Sequence, residues 1–134
     1  MSPRQEEKKS KNKDVAVGKN LKRAPAMFFK TEAGNEPVRE WLKSNEVRDE
    51  DRKLIGEDIK TAELGWPIGM PTCRPMGDGL HEVRTHLPRN RIARILFYVD
   101  TQSEMVLLHG FIKKTNTTPQ SDLDLARKRK RIHE

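Results

Sequence analysis

The sequence predicts a mixed α/β fold of the α+β type: a strand, two helices, a three-stranded antiparallel meander and a C-terminal helix. Three observations predict it. Between Leu80 and Thr115, three β-like runs follow one another with turn residues between them. Ahead of them, residues 35–64 place apolar side chains at helical spacing. Behind them, Thr117-Thr118-Pro119 breaks the sheet, and a charged segment opens with acids and closes with bases, as a helix dipole favours.

Each element has a local reason. Ala26-Met27-Phe28-Phe29-Lys30-Thr31 is a short apolar run with aromatics, the first strand. Asn35-Glu36-Pro37 opens a helix, with Asn able to cap and Pro tolerated in the first turn. Val38, Trp41 and Leu42 then share a face. A tight loop near Asn45 leads to a second helix, Asp49 to Leu64, buried along Leu54, Ile55, Ile59 and Ala62 and antiparallel to the first. Gly65 is expected to cap it in a left-handed conformation, and Pro67 cannot continue it. Trp41 and Trp66 read as packing residues before ligand platforms.

Trp66 to Gly79 is rich in proline and glycine and reads as a loop, with Met70 and Met76 over core edges. In the second strand Leu80, Glu82 and Arg84 alternate with His81, Val83 and Thr85. His86 to Asn90 is a turn. In the third strand Ala93, Ile95, Phe97 and Val99 are all apolar and should face the helices, which leaves the Arg94 face open. Asp100 to Ser103 is a hairpin turn. The fourth strand, Met105 onward, is almost wholly apolar and therefore interior, with Gly110 marking a bulge or an unobstructed spot. The last helix starts near Gln120.

Composition bounds the function. The chain has 134 residues, enough for one domain. It is 34% hydrophobic and 35% charged, thin for a fully packed chain, so part of it is expected to be solvated tail. Residues 1–25, lysine-rich and without hydrophobic period, are assigned to a disordered basic leader, and residues 26–134 to the domain. The leader suits a nucleic-acid-binding arm or a simple solvated extension. The net charge of +7 favours polyanionic partners. Charge is also uneven: residues 32–64 carry ten acids against six bases, whereas residues 80–114 carry six bases against three acids. One cysteine, Cys73, excludes an internal disulfide, and no Cys/His spacing suggests zinc. No apolar run is long enough to span a bilayer, and no apolar signal core follows the basic start. A cytoplasmic protein without metal or cofactor is the expectation.

The meander carries the chemistry. Arg84, Arg94, Lys113 and Lys114 come from three strands that hairpins make neighbours. Arginine inside a strand is rarely buried without a partner, so these cations need a reason. One is a phosphodiester: two cations stabilise charge growing on the non-bridging oxygens, while other groups move protons at the nucleophile and the leaving oxygen. Ion pairs such as Glu82 with Arg84 or Arg94 are the alternative. His109 alternates with Leu107 and Phe111 and reads as a core histidine; His81 and His86 have weaker claims. The block from Arg127 to Arg131 (Arg127, Lys128, Arg129, Lys130, Arg131) suits a nucleic-acid groove, although dipole and solubility also explain it.

Leu80-His81-Glu82-Val83-Arg84, Arg94-Ile95-Leu96-Phe97-Tyr98 and Leu107-Leu108-His109-Gly110-Phe111-Ile112-Lys113-Lys114-Thr115, followed by Thr118-Pro119, resemble the toxins of type II toxin–antitoxin modules. The similarity is to the RelE/ParE superfamily, in its HigB-like, phage-derived branch, over about residues 26–134. It implies a small RelE-like fold and a ribosome-dependent endoribonuclease that cuts mRNA without metal, using the 2′-hydroxyl as nucleophile. It further implies a cognate antitoxin, of the helix-turn-helix kind. By position, Arg84 and Arg94 match phosphate-gripping strand arginines and Lys113 and Lys114 a basic pair after the last strand, while Tyr98 is a candidate in this sequence for stacking or proton transfer. Arg91 and the terminal block are carried as RNA contacts. The same resemblance leaves room for a ParE-like gyrase poison or a non-catalytic nucleic-acid-binding relic, because fold does not fix chemistry.

Overall fold

A computed structural model describes residues 22–134. In chain order the elements are β1 (Ala26–Phe28), α1 (Pro37–Leu42), α2 (Asp49–Gly65), β2 (Cys73–Gly77), β3 (Leu80–Leu87), β4 (Arg91–Val99), β5 (Met105–Lys113) and α3 (Gln120–His133). Five strands make one sheet in the order β1-β5-β4-β3-β2. β2 to β5 run as an antiparallel meander, and β1 closes the far edge parallel to β5. β5 is interior, as its apolar run requires. The mixed α/β class and the expected order of elements are present, with one strand more.

That strand is β2, inside the stretch read as a loop. Its proline and glycines hide it. Pro75 cannot donate to a ladder, but β2 is an edge strand, the one place where this is tolerated. The register shifts between Pro75 and Gly77, and Gly77 has a φ of 92°. Met76 packs on the core edge as expected, whereas Met70 is 63% exposed.

The two helices before the sheet lie on it, α1 against β5 and α2 against β3, and Arg52 of α2 donates to the Leu42 carbonyl at the end of α1 at 2.7 Å. Gly110 is why α1 can approach. The Trp41 ring lies so close that a Cβ at residue 110 would stand 2.6 Å from Trp41 Cε3. Ile55 and Ala62 are buried with Val83, Ala93, Ile95 and Phe97 beneath the helices. Trp66 packs edge-on to His81 and Phe97, with centroids 4.8 and 5.5 Å away. Two end signals differ from expectation. Asn35 does not cap α1; its backbone N–H donates to Thr31 Oγ1, and Glu36 occupies the cap position. Gly65 ends α2 without a left-handed turn, and Trp66 leaves in an extended conformation with ψ of 137°.

α3 covers the other face. Ala126 and Leu123 pack on Leu80, Leu96, Tyr98, Val106 and Leu108. The Arg94 face is thus covered, contrary to the expectation that it stands open. α3 has few apolar residues because its basic stems do part of the covering. Arg129 Nη1 donates to the Leu108 carbonyl at 2.9 Å, and its guanidinium lies 5.9 Å from the Phe29 ring centre.

The packed body begins before residue 26. Ala24 is fully buried, and the Arg23 and Ala24 N–H groups donate to the Glu63 carbonyl. Ala26 N–H donates to Glu63 Oε2 at 2.6 Å, while the Lys22 ammonium lies 3.2 Å from the same carboxylate. Residues 1–21, most of the expected leader, lie outside the described residues.

Candidate functional site

The middle of β3 and β4 faces α3, and there Arg84 and Arg94 stand directly opposite each other. Like charges in that relation repel. Glu82, two residues along β3 on the same face, answers both. Its Oε1 lies 3.0 Å from Arg84 Nε and its Oε2 3.8 Å from Arg94 Nε. Glu82 and Arg94 are fully buried, and Thr118 Oγ1 donates to Glu82 Oε2. Burial first, then the Arg84 charge, pull the Arg94 pKa below the ordinary guanidinium range.

Both guanidinium groups reach outward to one segment. Arg94 Nη2 donates to the Thr115 carbonyl and Arg84 Nη2 to the Asn116 carbonyl. That segment is the turn after Lys113 and Lys114, so the four cations of the phosphate hypothesis gather at one end of the sheet. They are not four free cations. Two share Glu82, and Lys113 Nζ lies 3.8 Å from Asp122 Oδ2 while remaining 45% exposed. Lys114 is exposed, with no ion pair among the described residues.

A pair outside the expected set stands on the same face as these arginines. His109 Nε2–H donates to Asp122 Oδ1 at 2.6 Å, linking β5 to the first turn of α3. The reason is a bulge. Leu96 pairs with His109 and Phe97 with Leu107, which leaves Leu108 without a partner on β4. Leu107 faces α1 and α2, whereas Leu108, His109 and Phe111 all face α3. Uninterrupted alternation would put His109 with Leu107; the bulge moves it to the arginine face. The His109 and Phe111 rings stack at 5.4 Å, and Arg94 Cζ and Lys113 Nζ each lie 5.9 Å from the Phe111 centre. Imidazole, guanidinium and ammonium thus surround one aromatic ring.

The remaining expected residues stand elsewhere. Tyr98 is four residues along β4 from Arg94, roughly 13 Å at the usual strand rise. It is 5% exposed, and its hydroxyl pairs with His133 Nδ1 under the end of α3. Burial, then Glu134 and Asp100, raise its pKa. Arg91 makes two bonds of 2.9 Å to Asp51, a fully buried carboxylate on α2. Within the terminal block, Arg127 donates to the Met76 carbonyl, Arg129 to that of Leu108 and Lys130 to Glu134. Only Lys128 and Arg131 in that block are exposed.

Among the described residues no group of three side chains is placed to hold a metal ion, and no helix is long and apolar enough to cross a membrane. No curated protein matches the chain. Residues 40–131, well over half of the sequence, match the family of phage-derived Gp49-like proteins (DUF891), and the chain belongs to that family, a RelE-like one associated with toxin–antitoxin modules.

Proposed function

We propose that this protein is the toxin of a type II toxin–antitoxin module and acts as a ribosome-dependent mRNA endonuclease in the cytoplasm, held inactive by a cognate antitoxin of the helix-turn-helix kind. One observation carries the nuclease reading: Arg84 and Arg94 bond the Asn116 and Thr115 carbonyls of the turn that Lys113 and Lys114 open. Cations fixed before the substrate arrives stabilise charge developing on a phosphodiester without reorganising during the reaction. Arg84, Lys113 and Lys114 are the groups able to touch RNA. Arg94, fully buried, acts behind them by fixing Glu82 and the turn. The cut uses the neighbouring 2′-hydroxyl as nucleophile and needs no metal.

A gyrase-poisoning toxin would need a protein-binding face. Among the described residues the exposed large apolar side chains are Leu64, Met70 and Ile132, which come from three separate segments and line no single helix. The geometry therefore favours RNA. Induced expression followed by mapping of transcript ends is the test. Cuts inside translated frames that vanish in Lys113→Ala/Lys114→Ala, with the variant still folded, support the reading. Growth arrest with DNA damage and intact transcripts overturns it in favour of gyrase.

A further inference from the structure

We infer that His109 is the proton-transfer residue of the proposed cleavage, with Asp122 as the group that positions it; the inference rests on the nuclease reading above. The Nε2–H is committed to Asp122, so Nδ1 is the ring nitrogen left with a lone pair. Nδ1 has no hydrogen-bond partner among the described residues, and it is absent from their buried unpaired polar atoms, so it reaches solvent. An imidazole oriented by a carboxylate through one nitrogen and open at the other is the arrangement that general-base catalysis uses.

Placement makes the assignment specific. His109 stacks on the same phenyl ring that Arg94 and Lys113 approach, and Lys113 shares the Asp122 carboxylate with it. The base therefore stands beside Lys113, one of the cations able to touch phosphate. The other histidines do not match this. His81 is on the opposite face, wedged between Trp66 and Phe97, where burial lowers its pKa. His133 is committed to Tyr98. His86 shares the Arg84 face and stands in one cross-strand row with Ile92 and Lys113, but it is exposed and has no carboxylate to orient it among the described residues.

The step balances simply. His109 Nδ1 takes the proton of the 2′-hydroxyl as the O2′–P bond forms and the P–O5′ bond breaks. The departing O5′ is protonated by water, leaving a 2′,3′-cyclic phosphate and a 5′-hydroxyl, and the imidazolium returns its proton to solvent.

The test is single-turnover cleavage of mRNA on programmed ribosomes by the full chain. His109→Gln, which keeps a donor for Asp122 but offers no base, should lose about 10²- to 10⁴-fold in rate with ribosome binding intact. His109→Ala should lose as much and recover part of it in free imidazole, which a merely structural histidine would not do. His86→Gln should cut normally. A His109→Gln variant cleaving at the wild-type rate, or the loss appearing in His86→Gln instead, overturns the assignment. Wild-type protein that binds ribosomes without cutting sinks the nuclease reading itself, and this inference with it.

Discussion

Arg84 and Arg94 face each other across β3 and β4 with the buried Glu82 carboxylate between their guanidinium groups. The relation makes Glu82 a test of how the site is held. Removing one member of a buried charged set leaves the others uncompensated and typically costs about 3–5 kcal/mol. We expect Glu82→Gln to lower the urea unfolding midpoint sharply. Glu82→Gln/Arg94→Met should recover much of the loss, because the orphaned cation goes too. Equal stability of Glu82→Gln and wild type would mean that the carboxylate is not what holds the arginines.

Lys113 and Lys114 should behave differently. Lys113 is 45% exposed and its one ion pair is long, so its loss should cost ~1 kcal/mol or less. Alanine at either position should abolish most cleavage while the melting temperature stays close to wild type. From sequence, Arg84 stands either with them as a phosphate contact or in an ion pair with Glu82, and the ion pair is formed. Its 14% exposure and its contact with Glu82 now add a stability loss, measurable by the same melts.

Asp51 and Arg91 give a pH dependence with a definite sign. The paired Arg91 guanidinium holds the Asp51 carboxyl below its ordinary range, against the opposing effect of burial. A carboxyl with a depressed folded-state pKa contributes stability that is full above its unfolded value, near 3.9, and is lost as pH falls through the folded one. Wild type should therefore lose stability on acidification below about pH 4 more steeply than Asp51→Asn, which should be the less stable protein at neutral pH. Parallel curves for the two proteins would remove Asp51 from the acid transition.

Much of this was legible in the sequence. The meander, the helix before each turn and the packing roles of Trp41 and Trp66 follow from period and punctuation, and they hold. Gly110 was readable as an unobstructed spot, and Trp41 fills it. What escaped did so for physical reasons. β2 carries a proline that only an edge position permits, and edge position is a property of the sheet. The cover over Arg94 is made partly of arginine stems, which counting apolar residues does not register. His109 escaped because one extra residue in β5 shifts the face of everything after it. The Asp51–Arg91 and Glu82–Thr118 links join residues 40 and 36 positions apart, where no local pattern reaches.

Tyr98 separates a residue of the right kind from one in the right place. Its hydroxyl is occupied by His133, and Lys130 Nζ stands 5.0 Å over its ring. Tyr98→Phe should keep near-normal cleavage and lose about 0.5–1.5 kcal/mol of stability, the net contribution of one hydrogen bond. A hundredfold fall in cleavage, on the scale of general acid–base catalysis at about 10²-fold or more, would return Tyr98 to the site.

Gly110→Ala tests the other face of the sheet. The added methyl would meet the Trp41 ring at 2.6 Å, well inside contact distance, and the ring is trapped between α1 and β5. Overpacking of this kind typically costs about 1–3 kcal/mol. The loss should show in thermal melts and should shrink in Gly110→Ala/Trp41→Leu, where the smaller side chain makes room. Because the methyl points away from Arg84, Arg94 and His109, the cleavage rate of the folded fraction should be unchanged. A rate loss without a stability loss would show that the α1 side of β5 is coupled to the chemistry on the α3 side.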